Sequence, residues 1–292
     1  MPSPAGASGN TIGALPTGVA TGLVRTVTAG GSTDRVFEAD VPESGTSAAD
    51  RSSHSHDALS SWDVVRSTFR PGEALTFDER YRYAQLPLID ADHPLALAAS
   101  PDGVYRDGRY AEARLAVVVP VPVERLFVDP IFLSYEADLA SAPFAPKLAR
   151  GIELRRAHRL HATLSSIDAD SGFLDGLRTS VGAFTSFRVR LAGPVIGGFN
   201  RGRCYLPAIA DAFAPIQRAV GGRPAPLVGV GLHHFRDELD AAETAALAAF
   251  LERWRDVTLF EWTVTELAIT STNDDLVLSG RTLARIPLHA AD

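Results

Sequence analysis

The chain has 292 residues, 46% of them hydrophobic, enough to bury at least one sizeable core in one or two domains. A net charge of −7 argues against bulk binding to nucleic acid or to an anionic membrane, and no apolar run reaches the length of a membrane span. Cys204 is the only cysteine, which excludes an intramolecular disulfide and a cysteine-based zinc site.

Residues 1–60 are rich in Gly, Ser, Thr, Ala and Asp, with Phe37 the only aromatic, so they have little to bury and are expected to form a disordered tail. His54 and His56 fall there and read as solvated rather than as metal ligands. The first 25 residues lack the pattern of a signal peptide, and a reducing, cytoplasmic setting is expected. Residues 61–112 carry Trp62, Phe69, Phe77, Tyr81, Tyr83 and Tyr105 between Pro and Asp interruptions. They read as an ordered extension draped on a main domain at 113–289, with turns at Asp102-Gly103 and Asp107-Gly108.

Regular structure starts at Arg114. The continuous apolar run 115–121, bounded by Pro, predicts a buried strand. A helix is expected over about 131–149, a strand over about 152–166 and a helix over 173–183. Residues 187–191 alternate apolar and basic, as a half-buried strand does, and Cys204-Tyr205-Leu206 forms another. A helix over 209–220 is stopped by Gly221-Gly222, and a strand follows over 227–235. Asp240 and Glu243 are spaced as a capping box for a helix whose Leu247, Phe250, Leu251 and Trp254 share one face. Trp254 therefore reads as core rather than as a base-stacking platform. Two strands, about 257–270 and 276–288, complete an α/β chain of mixed order.

The segment 159–165, Arg-Leu-His-Ala-Thr-Leu-Ser, carries the most chemistry. A strand sends alternate side chains to opposite faces, so His161, Thr163 and Ser165 are expected on one face, and Leu160, Ala162 and Leu164 on the core side. An imidazole beside hydroxyls on a rigid strand can move a proton and hold a phosphate oxygen. By the same parity Arg159 shares the His161 face and is the expected phosphate clamp. The other arginines near these strands, Arg155, Arg156, Arg188, Arg190, Arg201, Arg203 and Arg236, mostly read as a solvated sheet face. The chain has no P-loop, no nucleophile elbow and no H-E-x-x-H motif.

Leu160-His161-Ala162-Thr163-Leu164 resembles the first H-x-T-hydrophobic motif of the two-histidine (2H) phosphoesterase superfamily, which includes 2′-5′ RNA ligase-like and cyclic phosphodiesterase proteins. The run from Arg114 to Pro122 resembles that family's opening strand, and Gly202 to Pro207 its central strand; the likeness covers about 113–289. It implies an α/β (α+β), bilobal fold, two antiparallel sheets flanking a central cleft with helices outside. It also implies a monomer needing no cofactor or metal, acting on a nucleotide or RNA end that bears a cyclic phosphate or 2′-5′-type linkage. His161 would be acid or base, Thr163 and Ser165 would bind the phosphate, and Tyr205 would line the cleft.

Members carry a second H-x-T about seventy residues further on. Here that place reads Gly229-Val230-Gly231-Leu232-His233-His234-Phe235, with glycines where the histidine and threonine belong. Losing one such histidine costs a factor of ~10²–10⁴ in rate. Strand parity puts His233 on the face of Gly229 and Gly231, which would leave space for substrate or for an imidazole reaching back, and turns His234 to the other side. His233 is thus the expected second imidazole. The other expectation is a catalytically degenerate protein that binds nucleotide or RNA ends without turnover.

Overall fold

The computed structural model describes residues 62–167 and 171–291. The expected tail, with His54 and His56, lies outside the described residues. Two short helices, α1 (Glu79–Ala84) and α2 (Leu86–Ile89), precede a hairpin of β1 (Tyr105–Arg106) and β2 (Arg109–Pro120). Its two-residue turn is Asp107-Gly108, with φ of 49° and 77°, the positive values that a tight hairpin demands of both positions. Helices α3 (Val123–Leu126), α4 (Pro130–Ser141) and α5 (Arg150–Arg156) lead through a 3₁₀ turn, Ala157–Arg159, into β3 (His161–Ile167). Then come α6 (Ser171–Gly182), β4 (Phe187–Leu191), β5 (Val195–Ile196), β6 (Arg203–Ile209), α7 (Phe213–Val220), β7 (Arg223–Pro224) and β8 (Gly229–His234). Helix α8 (Ala241–Trp254) and strands β9 (Phe260–Val264), β10 (Glu266–Asp274) and β11 (Arg281–Pro287) close the order.

The strands form two antiparallel sheets. One runs β11-β10-β2-β3-β7 with β1 on β2; the other runs β5-β6-β4-β9 with β8 on β6. The expected α+β architecture with two antiparallel sheets is present. The last part of the chain holds three strands rather than the expected two, because it leaves one sheet at Val264 and enters the other at Glu266.

The expected strand over 152–166 is helix up to Arg156. Ile152, Glu153 and Arg156 are buried at i, i+1 and i+4, a helical spacing, and the extended backbone starts only at His161. Helix α8 begins as its sequence predicts. The Asp240 carboxylate accepts from the Ala242 and Glu243 amides at 2.8 and 2.9 Å, and Glu243 accepts from the Asp240 amide at 2.9 Å.

The main core joins Val117, Val119, Ala162, Leu164 and Ile269 of the first sheet to Val189, Leu206, Val230 and Leu232 of the second. Residues 62–112 belong to it, since Leu75, Phe77, Tyr81 and Leu86 are buried in the same cluster. The other face of the first sheet carries a small separate cluster, Ala116, Val118 and Ala268. Pro120 pairs with His161 and Val118 with Thr163, so the H-x-T side chains stand on that second face.

Candidate functional site

His161 is the first residue of β3. Its Nδ1 lies 2.8 Å from the Arg159 carbonyl oxygen. A carbonyl only accepts, so Nδ1 carries the proton and Nε2 keeps its lone pair. Burial lowers the pKa to about 4, the Arg156 and Arg203 charges adding to it and the Arg159 carbonyl opposing it. The imidazole is 6% exposed and lines a cleft of about 780 Å³ together with Pro120, Arg125, Trp262 and Arg281. Thr163 is buried, and its Oγ1 has no hydrogen-bond partner among the described residues.

Ser165 does not share this face. The β2–β3 register shifts between Val117 and Val118, so Ser165 pairs with Val117 of the core side while Ser166 pairs with Ala116. Arg159 lines the same cleft as His161 but not from the strand. It sits in the 3₁₀ turn, outside the strand, and its Nη1 donates to the carbonyls of Val277 and Leu278, fastening the β10–β11 loop.

A second register shift rearranges β8. Pro207 pairs with Gly229 and Tyr205 with Gly231, but Arg203 pairs with His234, leaving one extra residue on β8. The extra residue turns His234 onto the face of Gly229, Gly231, Arg203 and Tyr205 and turns His233 away, the reverse of simple alternation. His233 is buried behind the sheet, its Nδ1 2.7 Å from Glu153 Oε1 and its Nε2 3.1 Å from Glu136 Oε1. Arg150 reaches the same two carboxylates, Glu136 at 2.9 Å and Glu153 at 3.1 Å. Burial alone would lower the His233 pKa, but Glu153 and Glu136 outweigh it and hold the value raised.

The two glycines leave no open space. A Cβ on Gly229 would stand 2.5 Å from Trp62 Cζ2, and one on Gly231 would collide with the Arg203 guanidinium. An indole and a guanidinium occupy the room expected for substrate.

Arg156, at the end of α5, and Arg203, at the start of β6, are both fully buried, and their charges act on both His161 and His234. Arg156 Nη1 lies 3.3 Å from His234 Nδ1 and 3.5 Å from Nε2. Guanidinium only donates, so that imidazole accepts and is neutral. Burial, with Arg156, Arg203 and His233 adding to it, holds the His234 pKa well below the usual histidine range. The Arg156 pKa is itself well lowered, by burial first and then by the Arg203 charge, although Asp274 and Glu153 oppose this. Two buried guanidiniums that repel one another thus stand beside the two imidazoles. Tyr205 is buried beside them with the Arg203 guanidinium 4.8 Å from its ring centroid and its hydroxyl accepting from Asn200 Nδ2 at 3.2 Å.

Sequence reading thus gives His161 and Thr163 the common face that the structure shows and turns His234 the wrong way, while Arg156 and Arg203 are hidden among many other arginines. The pairing of Arg203 and Tyr205 at i, i+2 beside a Gly-x-Gly strand is the one signal that points to a filled pocket there.

No protein-family model matches the chain, and no curated protein matches it. Solved structures do. TT0787 of Thermus thermophilus is 16% identical, with 61% of this chain and 100% of that one covered and a TM-score of 0.38. E. coli LigT complexed with phosphate is 16% identical over 61% of this chain and 99% of that one, with a TM-score of 0.34. E. coli LigT complexed with 3′-AMP is 15% identical over 61% and 98%, with a TM-score of 0.36. The similarity to these structures is one of fold.

Proposed function

We propose that the chain is a metal-independent phosphodiesterase acting on a cyclic phosphate or 2′-5′-type linkage of a nucleotide or RNA end, and that the charges of Arg156 and Arg203, buried near His161, draw the phosphate to it. The observation that carries this reading is the pair of buried guanidiniums acting on two imidazoles, His161 and His234. His161 is the base: its Nδ1 proton is committed to the Arg159 carbonyl, and its Nε2 lone pair is available to take a proton from water. The Thr163 hydroxyl donates to a non-bridging oxygen. His234 takes the part of the second imidazole and protonates the departing oxygen. Before a phosphate binds, both imidazoles are held neutral by burial and the neighbouring positive charges. A bound phosphate anion cancels those charges and lifts both pKa values, so that one imidazole can carry the proton the acid step needs.

The test is hydrolysis of 2′,3′-cyclic AMP, with chelator present, by the wild-type chain and by His161→Ala, His234→Ala and His233→Ala. Losses of ~10²–10⁴ in kcat at His161 and His234 are expected. An inactive wild-type chain overturns the enzyme reading. A specific observation supports a second reading in that case: Gly229 and Gly231 supply neither imidazole nor hydroxyl, and Trp62 and Arg203 fill their places. Phosphate binding that weakens in His161→Ala, without turnover, would then mark a protein that holds nucleotide or RNA ends.

A further inference from the structure

Trp62 occupies a seat cut for a flat ring. Its Cζ2 and Cη2 would lie 2.5 and 3.0 Å from a Cβ at position 229, so only glycine lets an aromatic ring approach β8 this closely. Tyr205 stands beside it, ring centroids 5.7 Å apart and planes at 46°, and Val195 completes the seat, with Val65 and Leu227 at its border. This small apolar cluster is separate from the main core. Among the described residues the strap that carries Trp62 is tied to the edge of the second sheet by backbone bonds and by side chains, with Arg66 Nη1 donating to the Pro194 carbonyl at 3.2 Å and Asp63 pairing with Arg255 at 3.2 Å. Ser67 N donates to the Ile196 carbonyl at 2.7 Å, Gly198 N to that of Val65 at 2.6 Å, and Ser67 Oγ to that of Gly197 at 2.9 Å. The Arg203 guanidinium lies over the same Tyr205 ring that Trp62 packs against. One tyrosine therefore adjoins both a ring-shaped seat and a buried guanidinium, the two recognition elements a nucleotide requires.

We infer that the seat under Trp62 is a nucleobase site, which the chain's own indole fills until a base-bearing ligand exchanges with it. The inference rests on the reading that Arg156 and Arg203 draw the phosphate and adds the part of the substrate that lies beyond the phosphate. A base takes the indole's place, its ring edge against Gly229 and its plane tilted against Tyr205 as the indole's is, and the strap lifts at its edge bonds. Bare phosphate has no ring and leaves Trp62 seated.

The experiment uses the full chain, with Trp62→Ala and Trp62→Phe, and three probes: inorganic phosphate, 3′-AMP and adenosine. Affinities come from calorimetry and the environment of Trp62 from its fluorescence. Removing the competitor in Trp62→Ala is expected to tighten 3′-AMP and adenosine binding tenfold or more and to leave phosphate affinity unchanged. In the wild-type chain 3′-AMP should shift tryptophan emission to the red while phosphate does not, and Trp62→Phe should abolish that shift even if Trp62→Ala folds poorly. Equal changes for 3′-AMP and phosphate, or weaker adenosine binding in Trp62→Ala with no emission shift in the wild type, would overturn the inference. Absence of phosphate binding overturns the reading of Arg156 and Arg203 instead, and adenosine still reports on the seat.

Discussion

His161 and His233 bias stability in opposite directions with pH. The His161 pKa falls from the ordinary 6.5 to about 4 in the folded chain, so the unfolded chain binds more protons between those values. Stability therefore rises with pH across that window; the contribution, about 3 kcal/mol, is complete above pH 6.5 and lost as pH falls to 4. His233 is raised, so its contribution is present below pH 6.5 and lost as pH rises through the folded value. Urea titrations at several pH values should show a shallower acid limb in His161→Asn and a shallower alkaline limb in His233→Gln. An unchanged acid limb in His161→Asn would show that the imidazole is not buried neutral. His161 and Thr163 are legible in the sequence because an H-x-T in an alternating run already states their common face. Ser165 and Arg159 are not, because the alternation extends neither past the register shift after Thr163 nor back into the 3₁₀ turn.

At the scale of elements, α5 and β8 are fastened by the His233, Glu153, Glu136 and Arg150 cluster and by the Ala149 amide donating to the His234 carbonyl at 2.8 Å. His233→Ala leaves two buried carboxylates facing a single guanidinium, and a loss of about 3–5 kcal/mol is expected from denaturant unfolding. The N-terminus of α8 is a milder case: Asp240→Ala removes the acceptor of two amides and should cost about 1 kcal/mol. The cap is readable in the sequence because its residues are near neighbours and their partners are local. The α5 helix is not, because its buried face combines Ile152 with the charged Glu153 and Arg156, so no apolar period marks it. Charge is tolerated there because β8 supplies partners from far along the chain, His233 to Glu153 and His234 to Arg156.

For the molecule as a whole, residues 62–112 are structural. Leu75, Phe77, Tyr81 and Leu86 lie in the main core, and the Tyr81 hydroxyl donates to the Phe235 carbonyl. At about 1.5–3 kcal/mol for each buried large side chain, their loss is comparable with the entire net stability of a domain. A chain beginning at residue 113 is expected to show no cooperative unfolding transition by circular dichroism, and a sharp transition would show that the extension only decorates the fold. The aromatic content of 61–112 is visible in the sequence, but a partner such as Phe235 lies far along the chain, beyond any local pattern.

The extra residue in β8 also has a consequence for how such a chain can change through descent. Two histidines sit side by side, one facing the Arg156 and Arg203 guanidiniums and one facing a pair of buried carboxylates, and the bulge between Gly231 and the residue paired with Arg203 decides which is which. Were the bulge lost at unchanged length, plain alternation would bring His233 opposite Arg203 and turn His234 away, whereas deleting a single codon at Leu232 would straighten the strand and leave both imidazoles in their present settings. The bulge itself therefore selects which of two adjacent histidines meets Arg203, and an alignment that counts only matched histidines would pass over it.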